Sequence, residues 1–342
     1  MAIDTPDTGT LATRGSSGRS ATGGLALALA SALSFGLSGS LARGLMDAGW
    51  SAGAAVTVRV AIAALVLLVP GVLGVRGRLD LVRASLGTIA LYGLLAVAGA
   101  QLFYFLAVAR LDVGVALLLE YTAPLAVVLW MWFARGQRPG PLTFVGAAIA
   151  AVGLVLLLNL LGGADVDALG VAFALVAMIG AATYFVISAD DTSGLPPITL
   201  AAGGLVFAAV TLALAALVGL LPFTATTDAV TFSFGDVPWW LPVALLGVVT
   251  AAFAYVTGIA AARHLGSRLA SFVALVEVAA GIGWAWLLVD QTPAPVQLLG
   301  AGLVLGGVVV VKLGERDVLE SIDRGEDLLV DVLPPQESPE RS

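Results

Sequence analysis

The sequence predicts an all-α membrane protein of ten transmembrane helices, arranged as two inverted five-helix repeats. Three observations predict it: too little charge for an aqueous surface, ten apolar stretches of spanning length, and an echo of the first half in the second. Hydrophobic residues make up 59% of the chain and charged residues 11%. A soluble domain carries roughly 25% charged residues because its surface must be hydrated. A 342-residue chain this poor in charge cannot cover itself in polar groups, so its solvent is the bilayer.

A hydrocarbon core about 30 Å thick takes about 20 apolar residues in a helix. Such stretches run 23–41, 52–73, 86–107, 113–133 and 141–161, then 169–187, 197–221, 239–262, 269–289 and 295–311. The segments between them hold nearly all of the charge and most of the prolines. Arg14 and Arg19 precede the first stretch, and Ala30-Ser31-Ala32 mimics a cleavage site. That stretch is too long for the core of a secretory leader, and its removal would break the repeat, so it is expected to stay.

Basic residues set the orientation, because cytoplasmic loops carry the Lys and Arg excess. With the N-terminus cytoplasmic, the inner segments hold Arg14, Arg19, Arg76, Arg78, Arg83, Arg135, Arg138, Arg263, Arg268, Lys312 and Arg316. The outer segments hold only Arg43 and Arg110. Both termini are therefore expected in the cytoplasm of a bacterial inner membrane. The turn at Asp190 and Asp191 is the one inner segment without a basic residue.

The repeat has an offset of 154 residues. Trp130 and Trp132 fall on Trp284 and Trp286, and Gln137, Pro139 and Pro141 on Gln291, Pro293 and Pro295. Gly146 and Gly153 fall on Gly300 and Gly307. A weaker echo at 146 puts Gly24 on Gly170, Ala28 on Ala174 and Leu29 on Leu175. The chain divides into an N-terminal polar arm over 1–22, repeats over 23–161 and 168–312, and a tail over 313–342. Five spans per half is an odd number, so the second half enters the membrane from the opposite face. Secondary transporters use that architecture for alternating access.

The formal charge of −7 is no guide to partners, since nine acids against Arg316, Arg324 and Arg341 put −6 of it into the tail. Such a tail is expected to stay solvated and disordered, and nothing in the rest points to nucleic acid. The chain has no cysteine and one histidine, His264. Disulfides, thiolate metal sites and multi-histidine centres are excluded, no cofactor is expected, and a nucleophile–base pair for an enzyme is lacking. No phosphate-binding GxxxxGK[ST] loop occurs.

Charges inside spans are costly and usually face a cavity or a partner. Arg59, Glu120 and Glu277 lie inside spans. Arg110, Asp112, Arg263 and Arg268 sit near span ends, where hydration suffices. Pro124, four residues after Glu120, frees a backbone carbonyl beside that carboxylate. Tyr104, Tyr121 and Tyr255 offer hydroxyls. Arg59 and Glu120 each stand seven residues into spans of the same direction, about 10 Å below the outer boundary, and Glu277 lies about 12 Å above the inner one. Arg59 and Glu120 are thus expected to pair, with Glu277 closing a polar cavity from below. Trp239 and Trp240 read as an interfacial belt, and Gly302 with Gly306 as a helix-contact pair.

The stretch Ala116-Leu-Leu-Leu-Glu120-Tyr-Thr-Ala-Pro124, with Gly136-Gln-Arg-Pro-Gly-Pro141 and Val145 to Gly153, resembles the EamA family. This is the ten-span branch of the drug/metabolite transporter superfamily. The second copy, Ala270 to Val278 and then Leu299-Gly300 and Gly306-Gly307, resembles it too, and Thr57-Val-Arg59 is similar to its arginine-bearing second helix. The family's Glu-Pro pair reads Ala123-Pro124 here in the first copy and Glu277-Val278 in the second, and the glutamate before its fifth span reads Gln137 and Gln291. The resemblance implies a membrane transporter for a small-molecule substrate such as an amino acid, with export and a coupling proton as expectations. Arg59, Glu120, Tyr121, Glu277, Tyr104 and Tyr255 are the expected substrate-binding set. The alternative is a non-transporting sensor or assembly partner that acts through the acidic tail.

Overall fold

The computed structural model describes residues 14–122, 140–158, 167–190 and 192–332. In chain order the first helices are α1 (Arg14–Asp47), α2 (Ala52–Leu73), α3 (Leu79–Ala84) and α4 (Leu86–Leu91). A π-helical stretch, Tyr92–Gly99, leads into α5 (Ala100–Val108), followed by α6 (Val113–Glu120), α7 (Pro141–Leu157), α8 (Ala168–Ala189) and α9 (Pro197–Leu217). A short ribbon of β1 (Val230–Phe232) and β2 (Gly235–Val237) follows. Then come α10 (Trp240–Gly247), a second π-helical stretch Val248–Phe253, α11 (Ala254–Val273), α12 (Leu275–Val289) and α13 (Pro295–Val332).

Among the described residues, six helices are long and apolar enough to cross a membrane: Gly23–Asp47, Ala52–Leu73, Leu86–Val108, Ala168–Ser188, Pro197–Leu217 and Trp240–Leu265. Pro141–Leu157, Leu275–Val289 and Pro295–Val311 are apolar but shorter. The fourth predicted span is described only as α6 and a turn at Tyr121 and Thr122. Pro124, Trp130, Trp132, Arg135, Gln137 and Arg138 lie outside the described residues. The ninth begins within α11, which runs on to Val273, and is interrupted at Ala274. α13 continues past the predicted limit at 311 into the tail. The pairs Arg316–Glu320 and Glu320–Arg324 there have the i,i+4 spacing that supports a helix.

Helix starts follow the local chemistry. The Ser51 side chain accepts from the Ala54 N–H at 3.1 Å to cap α2, and Asp167 accepts from the Gly170 N–H at 2.9 Å to cap α8. Pro141 and Pro197 occupy first helical positions, where a missing N–H costs nothing. The strand ribbon was not predicted. It is held by a Thr231–Asp236 hydrogen bond of 2.7 Å. At its turn, the Ser233 N–H donates to the Leu288 carbonyl at 2.9 Å, and the Ser233 hydroxyl donates to the Leu287 carbonyl, so the ribbon satisfies the open end of α12.

The described parts of 1–123 and 164–295 form one compact unit, and those of 124–163 and 296–342 form another. In the first, α1 packs against α11 and α12, α2 against α9, and α5 against α8. The contacts are reciprocal between the halves. A side chain added at Gly24 would meet Leu265 at 2.9 Å and His264 at 3.0 Å; at Gly170 it would meet Leu111 at 2.9 Å and Arg110 at 3.0 Å. The 154-residue shift carries Arg110-Leu111 onto His264-Leu265.

The second unit is the pair α7 and α13. A Cβ at Gly146 would lie 2.7 Å from the Gly307 carbonyl oxygen, and one at Gly153 would lie 2.8 Å from that of Gly300. Glycine therefore lets the two backbones touch. Because Gly146 and Gly153 are the repeat equivalents of Gly300 and Gly307, the crossing is antiparallel and self-complementary, as a local two-fold requires. The Gly302–Gly306 face does not form this crossing: among the described residues, a Cβ at either position meets nothing within 4 Å. The seam runs along Gly300 and Gly307, one helical face away.

Candidate functional site

A cavity of about 70 Å³ lies inside the first unit. Its polar wall is Glu120, Tyr121, Glu277, Gln101, Tyr255 and Tyr184, and the rest is small or aromatic. Both carboxylates stand at helix ends. Glu120 is the last residue of α6, and Glu277 lies in the first turn of α12, after the break at Ala274. A shift of 154 carries position 120, where α6 ends, onto 274, where α11 gives way to α12. Interrupted helices expose backbone polar groups, which a membrane tolerates only beside protein or a cavity.

The Tyr121 hydroxyl donates to Glu277 Oε2 at 2.5 Å, and the start of α12 places a helix N-terminus behind that carboxylate, a favourable position for an anion. Glu120 is 9% exposed. Above the acids, Tyr184 and Tyr255 meet edge to face with ring centroids 5.8 Å apart, and Phe35 stands 5.0 Å from Tyr255 in the same manner.

Gln101 and Tyr255 line the same cavity from α5 and α11. Gln101 Nε2 donates to the Tyr255 hydroxyl at 3.1 Å, and that hydroxyl donates to the Ala96 carbonyl at 3.4 Å. Ala96 belongs to the first π-helical stretch, where the shifted ladder makes a carbonyl available to a side chain. Its 154-residue equivalent, Thr250, lies in the second such stretch and has its carbonyl taken by Arg59 Nη2 at 2.5 Å.

Arg59 does not pair with Glu120. The ion pairs among the described residues are Arg43–Asp47 at 3.1 Å and Arg110–Asp167 at 2.9 Å. Arg59 is 1% exposed and donates instead to Gln101 Oε1 and the Thr250 carbonyl, with its guanidinium 5.3 Å from the centroid of the Phe105 ring. Equal depth on two helices did not make them neighbours: α2 packs on α9, on α10 with the π-helical stretch after it, and on α5. The arginine thus braces the wall from behind and is not a lining residue.

Tyr104, also expected at the site, is buried away from the cavity with its hydroxyl against Gly39. In the second half the bulk is reversed: Tyr184 brings its hydroxyl against Gly258, the repeat equivalent of Tyr104. Of the expected set, Glu120, Tyr121, Glu277 and Tyr255 share the cavity, while Arg59 and Tyr104 stand behind it. Sequence reasoning missed Gln101 and Tyr184. For Gln101 a signal existed, as a lone amide inside an apolar span whose repeat partner is Tyr255.

The fold and cavity define a multi-pass integral membrane protein of two related helical repeats, with a small cavity of mixed apolar and polar lining. Residues 22–159 and 168–313 each match the EamA-like transporter family. The chain belongs to that family, within the drug/metabolite transporter superfamily. The threonine/homoserine exporter RhtA of Escherichia coli K12 is 28% identical over 210 residues, which cover 60% of this chain and 65% of that one. RhtA of Escherichia coli O157:H7 matches to the same extent. The match thus spans about 65% of these relatives' length. A solved crystal structure 23% identical in sequence has the same fold, with a TM-score of 0.57 over 86% of this chain and 96% of its own.

Proposed function

We propose that this chain is a secondary transporter of ten spans in two inverted repeats, exporting a small metabolite from the cytoplasm by alternating access. Amino acids and their derivatives are the first class to test, given the exporters it resembles. One observation carries the reading: a cavity inside the bundle lined by polar groups from both halves, with two carboxylates at helix ends. The antiparallel, self-complementary crossing of α7 and α13 supports the inversion, since a two-fold perpendicular to the helices relates the copies. Two packings related by such an axis differ little in energy, and each opens the chamber to a different side. Glu120 and Glu277 offer themselves to a coupling proton.

The test is flux. Purified protein in proteoliposomes, loaded with threonine, homoserine and a panel of amines and given an imposed pH gradient, should release at least one solute faster than protein-free vesicles. Correctly folded protein that moves none of them sinks the reading. Orientation is tested separately: a cysteine at Ser342 should resist an impermeant thiol reagent in intact cells, and one at Thr226 should react.

A further inference from the structure

The wall of the chamber is chemically one-sided. Glu120 is more than nine-tenths buried, faces the cavity, and makes no hydrogen bond or ion pair among the described residues. A buried carboxylate without a partner is costly, so a group that comes and goes is its natural complement. Glu277 reaches the same space with one oxygen held by Tyr121 and the other open. The described wall contains no lysine, arginine or histidine, and Arg59 is engaged behind it by Gln101 and the Thr250 carbonyl. Gln101's amide commits one of its two N–H groups to Tyr255, so what it offers an anion is one neutral donor and no positive charge. The remaining surface consists of aromatic rings, alanines, Gly258 and Ser31, whose hydroxyl donates to the Ala254 carbonyl.

Resting on the transporter reading above, we infer that the chamber takes an amine as its ammonium ion, with an apolar or aromatic body and no carboxylate. The ammonium's donors match the open oxygens of Glu120 and Glu277, and the faces of Tyr184, Tyr255 and Phe35 attract a cation through their quadrupoles. A free amino acid fits less well. Its carboxylate would enter beside two acids and meet no basic group among the described lining residues, so most of its burial penalty would stand. Arg59 then holds the wall that shapes the chamber and leaves the substrate anion role empty.

The experiment is calorimetric titration of the full chain in nanodiscs with 2-phenylethylamine, phenylalanine and 3-phenylpropionate, which share a body and differ in charge. The amine should bind about tenfold or more tightly than phenylalanine, and 3-phenylpropionate should give no saturable heat. Glu120→Gln and Glu277→Gln should each weaken amine binding about tenfold, the scale of a lost charge-assisted hydrogen bond. Tyr104→Phe should leave it unchanged. Phenylalanine binding as tightly as the amine, no amine binding at all, or full binding by the Glu120→Gln/Glu277→Gln double variant each overturns the proposal. The ligand series on the unmodified protein decides even if a variant fails to fold. Flux in proteoliposomes separates the two readings: amine binding without flux removes the transporter reading alone, and phenylalanine flux without amine binding removes this one alone.

Discussion

Gln101 and Tyr255 occupy equivalent places in the two repeats, 154 residues apart, and they hydrogen-bond each other across the cavity wall at 3.1 Å. The repeat has diverged at this pair into a donor amide and an acceptor hydroxyl, which two copies of either residue would not reproduce in the same geometry. Around them the divergence continues. The Ala96 carbonyl receives the tyrosine, and the equivalent Thr250 carbonyl receives Arg59. The two π-helical stretches therefore supply matching acceptors to different donors, and the wall is asymmetric where the backbone is nearly symmetric.

Arg59 should be coupled to Gln101 and not to Glu120. Arg59→Met leaves the Gln101 oxygen and the Thr250 carbonyl buried without a donor, so it should destabilise the protein by about 2–4 kcal/mol. Gln101→Leu should cost about 1–3 kcal/mol, and the Arg59→Met/Gln101→Leu cycle should show a coupling of about 1 kcal/mol or more. The Arg59→Met/Glu120→Gln cycle should show a smaller coupling than that. Denaturant melts in a common detergent measure both. A larger coupling to Glu120 than to Gln101 would overturn this assignment of Arg59's partners.

The architecture was legible because it rests on composition and period. Apolar length led to ten expected spans; among the described residues six are long and apolar enough and three more are shorter apolar helices, while the repeat offset of 154 reappears as a hydrogen-bonded pair. The site was legible only in part. Glu120 and Glu277 stood out because carboxylates are rare in apolar runs, and both line the cavity. The partner of Arg59 was not legible, because depth along a helix can be counted from sequence but the neighbour of a helix face cannot. The break at Ala274 and the π-helical stretches leave no composition signal either. They depend on tertiary packing around the chamber.

Glycine substitutions should separate the helix seam from the open face of α13. Gly300→Ala places a methyl group against the Gly153 carbonyl, 2.7 Å from the built Cβ, and overpacking of this kind costs about 1–3 kcal/mol. Gly302→Ala and Gly306→Ala meet nothing within 4 Å and should be neutral, or stabilising by up to about 1 kcal/mol through helix propensity. Thermal unfolding of the three variants in one lipid mixture reads the difference. Equal melting temperatures for Gly300→Ala and Gly302→Ala would refute the seam.

Acid should weaken the start of α8 through Asp167. Its carboxyl is held below the ordinary aspartate range, first by the Gly170 N–H it caps and then by Arg110. A depressed folded-state pKa means that stability from this group is fully present above the unfolded value of about 3.9. It is lost as pH falls through the lower folded value. Asp167→Asn keeps a capping oxygen but does not titrate. Intrinsic amide exchange slows in acid, so the readout is the protection factor: in the first turn of α8 it should fall as pH drops below about 4 in the original protein more than in Asp167→Asn. An equal fall in both would show that the cap is not the titrating element.

Tyr184 and Tyr104 provide the last test, since they lie on opposite sides of the wall. Both hydroxyls press on a glycine, Tyr184 on Gly258 and Tyr104 on Gly39, but only Tyr184 lines the chamber. Tyr104's hydroxyl is buried with no partner among the described residues, so Tyr104→Phe removes an unsatisfied group and should stabilise the fold by up to about 1–3 kcal/mol while leaving substrate affinity intact. Tyr184→Phe keeps the ring that a cation would contact and removes a polar atom from the chamber. It should change the affinity for 2-phenylethylamine by no more than a few-fold, whereas Tyr184→Ala, which deletes the ring, should lower it by about tenfold, toward the upper end for a desolvated cation–π contact. Calorimetric titration of the three variants distinguishes ring from hydroxyl. If Tyr104→Phe loses binding as severely as Tyr184→Ala, the chamber extends to Tyr104, and the sequence-based placement of that tyrosine at the site stands against the geometry.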